Sequence, residues 1–191
     1  MSQVDGRFLR SKKSQNIILE SIINLINKGN FYPTADEVAK ESGIAIRTVF
    51  RQFADMETLI MKVDETINIK LLNEKILIDK DLSLKERLKK IIEERIYFYN
   101  KYENIMIATI TQLPKYKILQ KRYPEYQKLL RKRTEKIIPE LLNIKSNNQE
   151  LIDASLSFGF YQRLKFQGLD KSNIAKSIYN QCKKLIMSSG E

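Results

Sequence analysis

A short segment after residue 45 carries the side chains needed to bind a polyanion. Arg47 and Arg51 lie four positions apart, and the hydroxyl of Thr48 lies beside Arg47. Residues spaced by four share one face of a helix. Val49 and Phe53 have the same spacing, so they would form a separate apolar face that packs inward. A face of arginines and a hydroxyl suits phosphate oxygens and the edges of nucleic-acid bases.

Local signals on both sides of this segment predict the elements that position it. Thr34 followed by Glu37 is a capping-box pattern that starts a helix. Gly43 suits the left-handed conformation that ends a helix. A second helix over roughly 45–52 would follow, and Asp55 is a suitable N-cap for a third, long helix. Two short helices joined by a glycine turn make a helix-turn-helix, which reads the DNA major groove. The alternative is a helical hairpin packed for stability alone, with solvated arginines.

The segment from about Ser11 to Ile60 resembles the DNA-binding domain of the tetracycline-repressor (TetR) family of bacterial transcription regulators. The resemblance rests on the apolar positions of an amphipathic first helix and on a series of later residues at matching spacing: Ile17, Ile18, Ile22, Leu25 and Ile26, then Gly29, Phe31, Thr34, Val38, Ala39, Gly43, Ile44, Thr48, Phe50, Phe53 and Leu59. Ala45, Phe50 and Met56 depart from the serine, tyrosine and lysine that are frequent in the family. Each departure removes a phosphate contact, and Arg47 and Arg51 could supply charge instead.

The resemblance implies an all-α fold with two domains. Residues 1–56 would form an N-terminal arm and the three-helix DNA-binding domain, and residues 57–191 a larger helical domain for effector binding and dimerisation. A homodimer would place two recognition helices on a palindromic double-stranded DNA operator. We expect Ile46 and Arg47 to read base edges. Contacts with phosphate or sugar are expected from Thr34, Thr48, Phe50, Arg51 and Gln52, and backbone contacts from basic residues of the arm, Arg7, Arg10, Lys12 and Lys13.

The resemblance also implies a mechanism of regulation. A small-molecule effector in the second domain would tilt the third helix and release DNA. Repression is the favoured outcome, and activation remains the alternative.

Composition argues against several other classes of protein. The 191 residues include no histidine and one cysteine, Cys182. A histidine-based catalytic dyad, a structural zinc site and an intramolecular disulfide are therefore disfavoured. No apolar run approaches the roughly 20 residues that span a bilayer. We expect a soluble cytoplasmic protein that is not an enzyme and needs no metal or cofactor.

The positive charge is concentrated outside the predicted DNA-binding domain. The net charge of the chain is +11. Residues 1–56 contain eight basic and six acidic residues, whereas residues 115–136 contain nine basic and two acidic ones. The second cluster is either a solvated helix face or a surface that attracts DNA, an acidic ligand or an acidic partner. It also supports an alternative function, a basic helical module that binds nucleic acid or anionic membranes without sequence specificity.

Beyond residue 56 the pattern predicts further helices. The third helix would run from Met56 to Ile78, on apolar positions Leu59, Ile60, Val63, Ile67, Leu71 and Ile78. Another would follow Asp81 or Ser83, with an apolar stripe of Leu84, Leu88, Ile91, Phe98 and Tyr102. Three prolines would each mark a break or a helix start: Pro114, Pro124 and Pro139. Residues 145–149 would form a loop.

Arg95 falls within the apolar stripe of the helix after Ser83, where an inward side chain is expected. A buried guanidinium needs a partner. Arg95 could pair with Asp153, reach the surface, or bind the acidic part of a ligand. In the last case aromatic and sulfur side chains would line a pocket with it: Phe98, Tyr99, Tyr102, Met106, Phe158 and Tyr161. Such residues could equally be ordinary core.

The last two predicted helices, about 149–168 and 171–188, are candidates for self-association. Residues 151–166 are apolar on more than one side, so one side could pack internally and the other against a second copy. The alternative is a monomer in which both helices are buried internally.

Overall fold

The protein is described from a computed structural model that covers residues 6–73, 77–79 and 81–188. Every regular element in these ranges is helical, which confirms the all-α prediction. The helices are α1 Gly6–Asn27, α2 Ala35–Ser42, α3 Ile46–Phe53, α4 Met56–Asn73, α5 Leu84–Lys101, α6 Glu103–Gln112, α7 Lys117–Ile137, α8 Ser146–Ser155, α9 Phe158–Phe166 and α10 Lys171–Met187, with a 3-10 helix at Pro139–Asn143.

The chain forms two compact units, Met1–Glu74 with Asn104–Arg122, and Lys75–Glu103 with Tyr123–Glu191. The contacts therefore group α4 with the helices that precede it. The sequence-based division after residue 56 stays a prediction about functional domains.

In the first unit, α1 packs against α2, α3 and α4. Burial of apolar side chains in this core is the main force that holds these short helices in place. The core is formed by Ile18, Ile22, Val38, Val49, Phe53 and Leu59, all of which are almost fully buried.

The third predicted helix is shorter than expected. α4 ends at Asn73, and Leu77–Asp79 are not helical, so the extension to Ile78 was wrong. Its stripe of Leu59, Ile60, Val63 and Ile67 is buried as predicted. The side chain of Leu71 lies outside the described residues. An apolar residue at the right spacing cannot by itself show that the helix continues to reach it.

Two predicted interruptions in the later part of the chain were wrong, and one was missed. Pro124 lies inside α7 instead of breaking it. Residues 146–149 are the first turn of α8 instead of a loop. The predicted helix at about 149–168 is divided into α8 and α9 at Leu156 and Ser157. Pro114 and Pro139 behave as predicted, since Pro114 lies between helices and Pro139 starts the 3-10 helix.

In the second unit, α10 packs against α5, α8 and α9. Its narrow stripe of Ile174, Ile178 and Cys182 is fully buried. Buried polar side chains also cross this unit. Glu94 of α5 is 1% exposed and accepts hydrogen bonds from Arg133 of α7 at 2.5 and 3.1 Å. Arg87 donates to the Ile137 carbonyl and pairs with Glu140.

Candidate nucleic-acid interface

The helix-turn-helix is built by the local signals expected from the sequence. The Thr34 hydroxyl accepts a hydrogen bond from the Glu37 amide at 3.3 Å, and the Glu37 carboxylate accepts one from the Thr34 amide at 2.8 Å. This reciprocal capping box begins α2. Gly43 ends α2 at φ +65°, a left-handed conformation that favours glycine. The turn then leads directly to Ala45, the N-cap of α3, which provides no side-chain hydrogen bond.

Both ends of this motif are also stabilised by carboxylates. The backbone amide of Thr34 holds the pKa of Glu37 below its usual value. Asp55 caps α4 by accepting a 2.7 Å hydrogen bond from the Thr58 amide, and this bond lowers the pKa of Asp55. Ionised carboxylates at helix N-termini also interact favourably with the helix dipole.

The side chains of α3 separate into two opposite faces. Val49 and Phe53 are buried against the core, as predicted. The outward face consists of Ile46, Arg47, Phe50 and Arg51, all of which are exposed. This face joins two cations with two apolar groups on one eight-residue helix. It has the composition of a surface that binds phosphates and contacts base edges.

The remaining predicted contact residues are less available than this face. The Thr34 hydroxyl is engaged in the cap, where it also donates to Glu37 at 2.9 Å. Thr48 and Gln52 are half-buried, one turn apart on the flank of α3. The Gln52 side-chain carbonyl accepts hydrogen bonds from Ser11 at 3.0 Å and from Gln15 at 3.1 Å, both on α1. Gln52 is thus a link between two helices of the motif.

Ser11 and Gln15 were missed by the sequence analysis, although a signal was present. Together with Ile18 and Ile22 they continue one stripe of α1 at spacings of four, three and four. Ile18 and Ile22 are fully buried. Polar residues that extend a buried stripe require hydrogen-bond partners, and Gln52 fulfils this requirement.

The basic residues before Ser14 do not form an extended arm within the described chain. Residues 6–13 are the first two turns of α1, so the predicted arm is helical over this range, and its contact with the DNA backbone stays a prediction. Residues 1–5 lie outside the described residues. The side chains concerned are exposed on the helix: Arg7, Arg10, Lys12 and Lys13.

The basic cluster at residues 115–136 divides by residue type. Its arginines pair with acidic side chains: Arg122 with Asp64 and Glu65, Arg131 with Glu135 and Glu150, and Arg133 with Glu94. Its lysines are exposed: Lys115, Lys117, Lys121, Lys128, Lys132 and Lys136. Much of the arginine charge is therefore compensated internally, which favours the interpretation as a solvated helix face.

Arg95 is buried, as the stripe predicted, and is 5% exposed. One terminal nitrogen donates to the Leu130 carbonyl at 2.8 Å and to the Thr134 hydroxyl at 3.2 Å. Its Nε has no hydrogen-bond partner among the described residues. Asp153 lies close enough to Arg95 for their charges to interact. Burial raises the pKa of the Asp153 carboxyl, and the positive charges of Arg131 and Arg95 oppose this rise.

The aromatic residues predicted to line a pocket pack mainly against one another. The ring centroid of Tyr99 lies 5.5 Å from that of Phe158 and 5.5 Å from that of Tyr161. Phe98 and Tyr102 are buried, and Met106 is half-buried on α6 of the first unit. The Tyr99 hydroxyl donates to the Leu156 carbonyl at 2.6 Å, and desolvation raises the pKa of Tyr99 to about 12.

A small recess with a cavity volume of about 20 Å³, enough for about one water molecule, lies in the second unit. It is lined by Arg131, Thr134, Glu135, Leu141, Gln149, Ile152, Asp153 and Leu156. Thr134 connects it to Arg95. Within the part of the chain described, no cluster of acidic or cysteine side chains could hold a metal ion, and no helix has the length and apolar character required to cross a membrane.

No protein-family model and no curated protein matches this chain. Solved structures do. A transcriptional regulator from Rhodococcus sp. Rha1 has a TM-score of 0.70 at 12% identity, over 94% of this chain and 97% of that one. A protein described as a fatty acid metabolism regulator of Clostridium perfringens has a TM-score of 0.63 at 19% identity, over 87% of this chain and 97% of that one.

A third structure, assigned to the TetR family of transcriptional regulators and from Rhodococcus sp., has a TM-score of 0.63 at 11% identity. It matches 91% of this chain and 99% of that one. The similarity in each case extends over nearly the whole chain, and it confirms at the level of fold the resemblance found in the sequence. The protein therefore has the all-helical fold of TetR-type transcriptional regulators.

Proposed function

We propose that this protein is a sequence-specific DNA-binding transcriptional regulator that acts as a homodimer and as a repressor. The observation that carries the proposal is the outward face of α3, where Arg47 and Arg51 are exposed while Val49 and Phe53 anchor the helix. Ile46 and Arg47 would read base edges in the major groove. Phosphate contacts would come from Arg51, with the exposed Phe50 packing against the DNA backbone.

The proposed dimer uses α8, α9 and α10. Large apolar side chains are exposed on all three helices: Leu151 at 49%, Phe166 at 78% and Met187 at 67%. Burial of these side chains against the same helices of a second copy would remove their apolar surface from water. Two recognition helices in one dimer would match an operator with two-fold symmetry. Sedimentation of the purified protein measures its mass in solution, and a monomer at micromolar concentration would contradict this part of the proposal.

The proposed effector binds in the second unit near Arg95. Its support is the buried guanidinium with an unpartnered Nε, and the recess that Thr134 connects to it. The aromatic residues beside it would contribute apolar surface. To release DNA, the effector must bind the non-DNA conformation more tightly, with a coupling of about 1 to 3 kcal/mol.

The test of DNA recognition is a selection of random duplex DNA on the purified protein at two salt concentrations. We expect a palindromic motif that persists at the higher concentration. Binding without a motif, lost steeply as salt increases, would instead indicate the alternative basic module.

Two charge-matched variants then separate these functions. Arg47→Ala should weaken binding to the selected operator by about 1 to 3 kcal/mol, because it removes a contact with a base edge. Lys132→Ala removes the same charge from α7 and should leave operator affinity nearly unchanged. Binding of both to operator and random duplex DNA is measured by fluorescence anisotropy. If Lys132→Ala weakened binding more than Arg47→Ala, recognition by α3 would be excluded.

A further inference from the structure

The apolar anchoring of α3, the proposed recognition helix, comes from two buried side chains. α3 has eight residues, of which Val49 and Phe53 have almost fully buried side chains. A helix this short is not stable alone, so its position depends on packing against neighbours. Val49 and Phe53 fix which face of α3 points inward, but apolar packing is non-directional, so it leaves the fine rotation of the helix to other contacts. Hydrogen bonds are directional and can supply this restraint.

Gln52 provides such bonds at the end of α3. Its Oε1 accepts hydrogen bonds from Ser11 Oγ and Gln15 Nε2, both on α1. A side-chain carbonyl has two lone pairs, so both are used. The two donors lie four residues apart, one turn of α1, and continue the stripe that buries Ile18 and Ile22. The bonds therefore connect α3 to the most firmly packed face of α1.

We propose that Gln52 is a positioning residue, which together with Ser11 and Gln15 sets the rotation of α3 and so the placement of Arg47 and Arg51 on DNA. This inference rests on the proposed function. It changes the role expected for Gln52, which was predicted to contact phosphate. Recognition groups must be held to within about 0.5 Å of their working geometry, and two hydrogen bonds from a neighbouring helix to one carbonyl would restrain α3 towards this.

A double-mutant cycle tests the proposal on the full-length protein. The variants are Gln52→Met, the pair Ser11→Ala with Gln15→Met, and all three substitutions together. Methionine keeps the length of glutamine and removes its hydrogen bonds. Dissociation constants are measured for the selected operator and for random duplex DNA of the same length, and thermal unfolding is followed in parallel. Gln127→Met, a half-buried position on α7 outside the DNA-binding helices and the proposed dimer helices, controls for the chemical change itself.

If Gln52 positions α3, Gln52→Met should weaken operator binding about tenfold and leave binding to random DNA within about twofold. The combined variant should then bind no more weakly than Gln52→Met alone, because all three substitutions remove one link.

Three outcomes would overturn the proposal. If the two sets of substitutions each raised the dissociation constant for the operator and the two factors multiplied in the combined variant, Gln52 would contact DNA itself. A lower melting temperature with unchanged operator affinity would show a role in stability only. Failure of the wild-type protein to select any motif would remove the proposed function and this inference with it, whereas the first two outcomes leave that function standing.

Discussion

Two arginines of the second unit, Arg133 and Arg95, differ in the groups to which they donate hydrogen bonds. Arg133 pairs with Glu94, a carboxylate that is 1% exposed. Arg95 is more deeply buried, at 5% exposed against 22% for the Arg133 side chain, and it donates hydrogen bonds to two neutral oxygens. A buried ion pair is costly to break, because the remaining charge loses its hydrogen-bonded partner. The charge of Arg95 instead interacts with the Asp153 carboxyl, whose pKa is raised by burial.

This difference predicts that replacement by methionine lowers stability much more at Arg133 than at Arg95. Arg133→Met should lower the free energy of unfolding by about 3 kcal/mol, because the buried Glu94 carboxylate would lose its hydrogen bonds from Arg133. Arg95→Met should change it by only about 1 kcal/mol, since the loss of two hydrogen bonds to neutral groups is partly offset by removal of the cost of burying the guanidinium. Urea denaturation followed by circular dichroism measures both.

An equal, large loss of stability in the two variants would contradict this account of Arg95. A stable Arg95→Met protein that still binds operator also provides the reagent for effector screening. The proposed effector site requires this variant to lose its response to an effector that acts on the wild type.

At the scale of elements, the break between α8 and α9 shows how a helix is ended by side chains from elsewhere. In an uninterrupted helix the Leu156 carbonyl would accept a hydrogen bond from the Phe160 amide. Here the Phe160 amide donates to the Ser157 hydroxyl at 3.2 Å, and the Leu156 carbonyl accepts from Tyr99 of α5 at 2.6 Å. Two hydroxyls thus replace one backbone hydrogen bond.

Removing either hydroxyl should destabilise the protein for a different reason. Tyr99→Phe leaves a carbonyl unpaired next to the aromatic core and should cost about 1 to 3 kcal/mol of unfolding free energy. Ser157→Ala removes the N-cap of α9 and should cost about 1 kcal/mol. Ser172→Ala, an exposed residue of α10, serves as the control. Thermal denaturation ranks the three variants, and a Ser157→Ala protein as stable as the control would show that the cap does not hold the break.

The same break explains which features were predictable from sequence. The capping box of Thr34, the Gly43 turn and the Asp55 cap depend on residues within a few positions of each other, and all three were predicted. The end of α8 depends on Tyr99, 57 residues earlier, and nothing near Leu156 shows this contact. The link from Gln52 to α1 and the Glu94–Arg133 pair were missed for the same reason, since each joins residues far apart in sequence.

At the scale of the whole molecule, the distribution of titratable groups predicts a wide range of constant stability. The chain has no histidine, so no imidazole titrates near neutral pH. Hydrogen bonds from Lys62 lower the pKa of Glu65, and those from Arg87 lower the pKa of Glu140. A carboxyl whose pKa is lowered by folding stabilises the fold at pH values above its pKa in the unfolded chain. This contribution is lost as the pH falls through the pKa of the folded state.

The alkaline limit has the opposite sign. Burial raises the pKa of Tyr99 from 10.0 to about 12 and that of Cys182 from 9.0 to about 12. The fold favours their neutral forms, so stability is complete below the unfolded pKa values and is lost as pH rises towards 12. The raised pKa of Asp153 adds stability only where its carboxyl is protonated, which offsets part of the acid decline. We expect nearly constant unfolding free energy from about pH 6 to about pH 8, with a decline on each side. Urea midpoints across this range test it, and Cys182→Ala should flatten the alkaline decline. A distinct step in the urea midpoint near pH 7 would contradict this prediction.

The burial of Cys182 also makes the wild-type chain suitable for site-directed labelling. The only sulfhydryl of the protein is fully enclosed on α10, and it is held in the unreactive thiol form. A maleimide dye should therefore react with a cysteine introduced at an exposed position, such as Lys132, and leave Cys182 unmodified. Slow modification of Cys182 itself would report how often α10 opens, so the rate of colour development with Ellman's reagent would measure the breathing of this helix in solution.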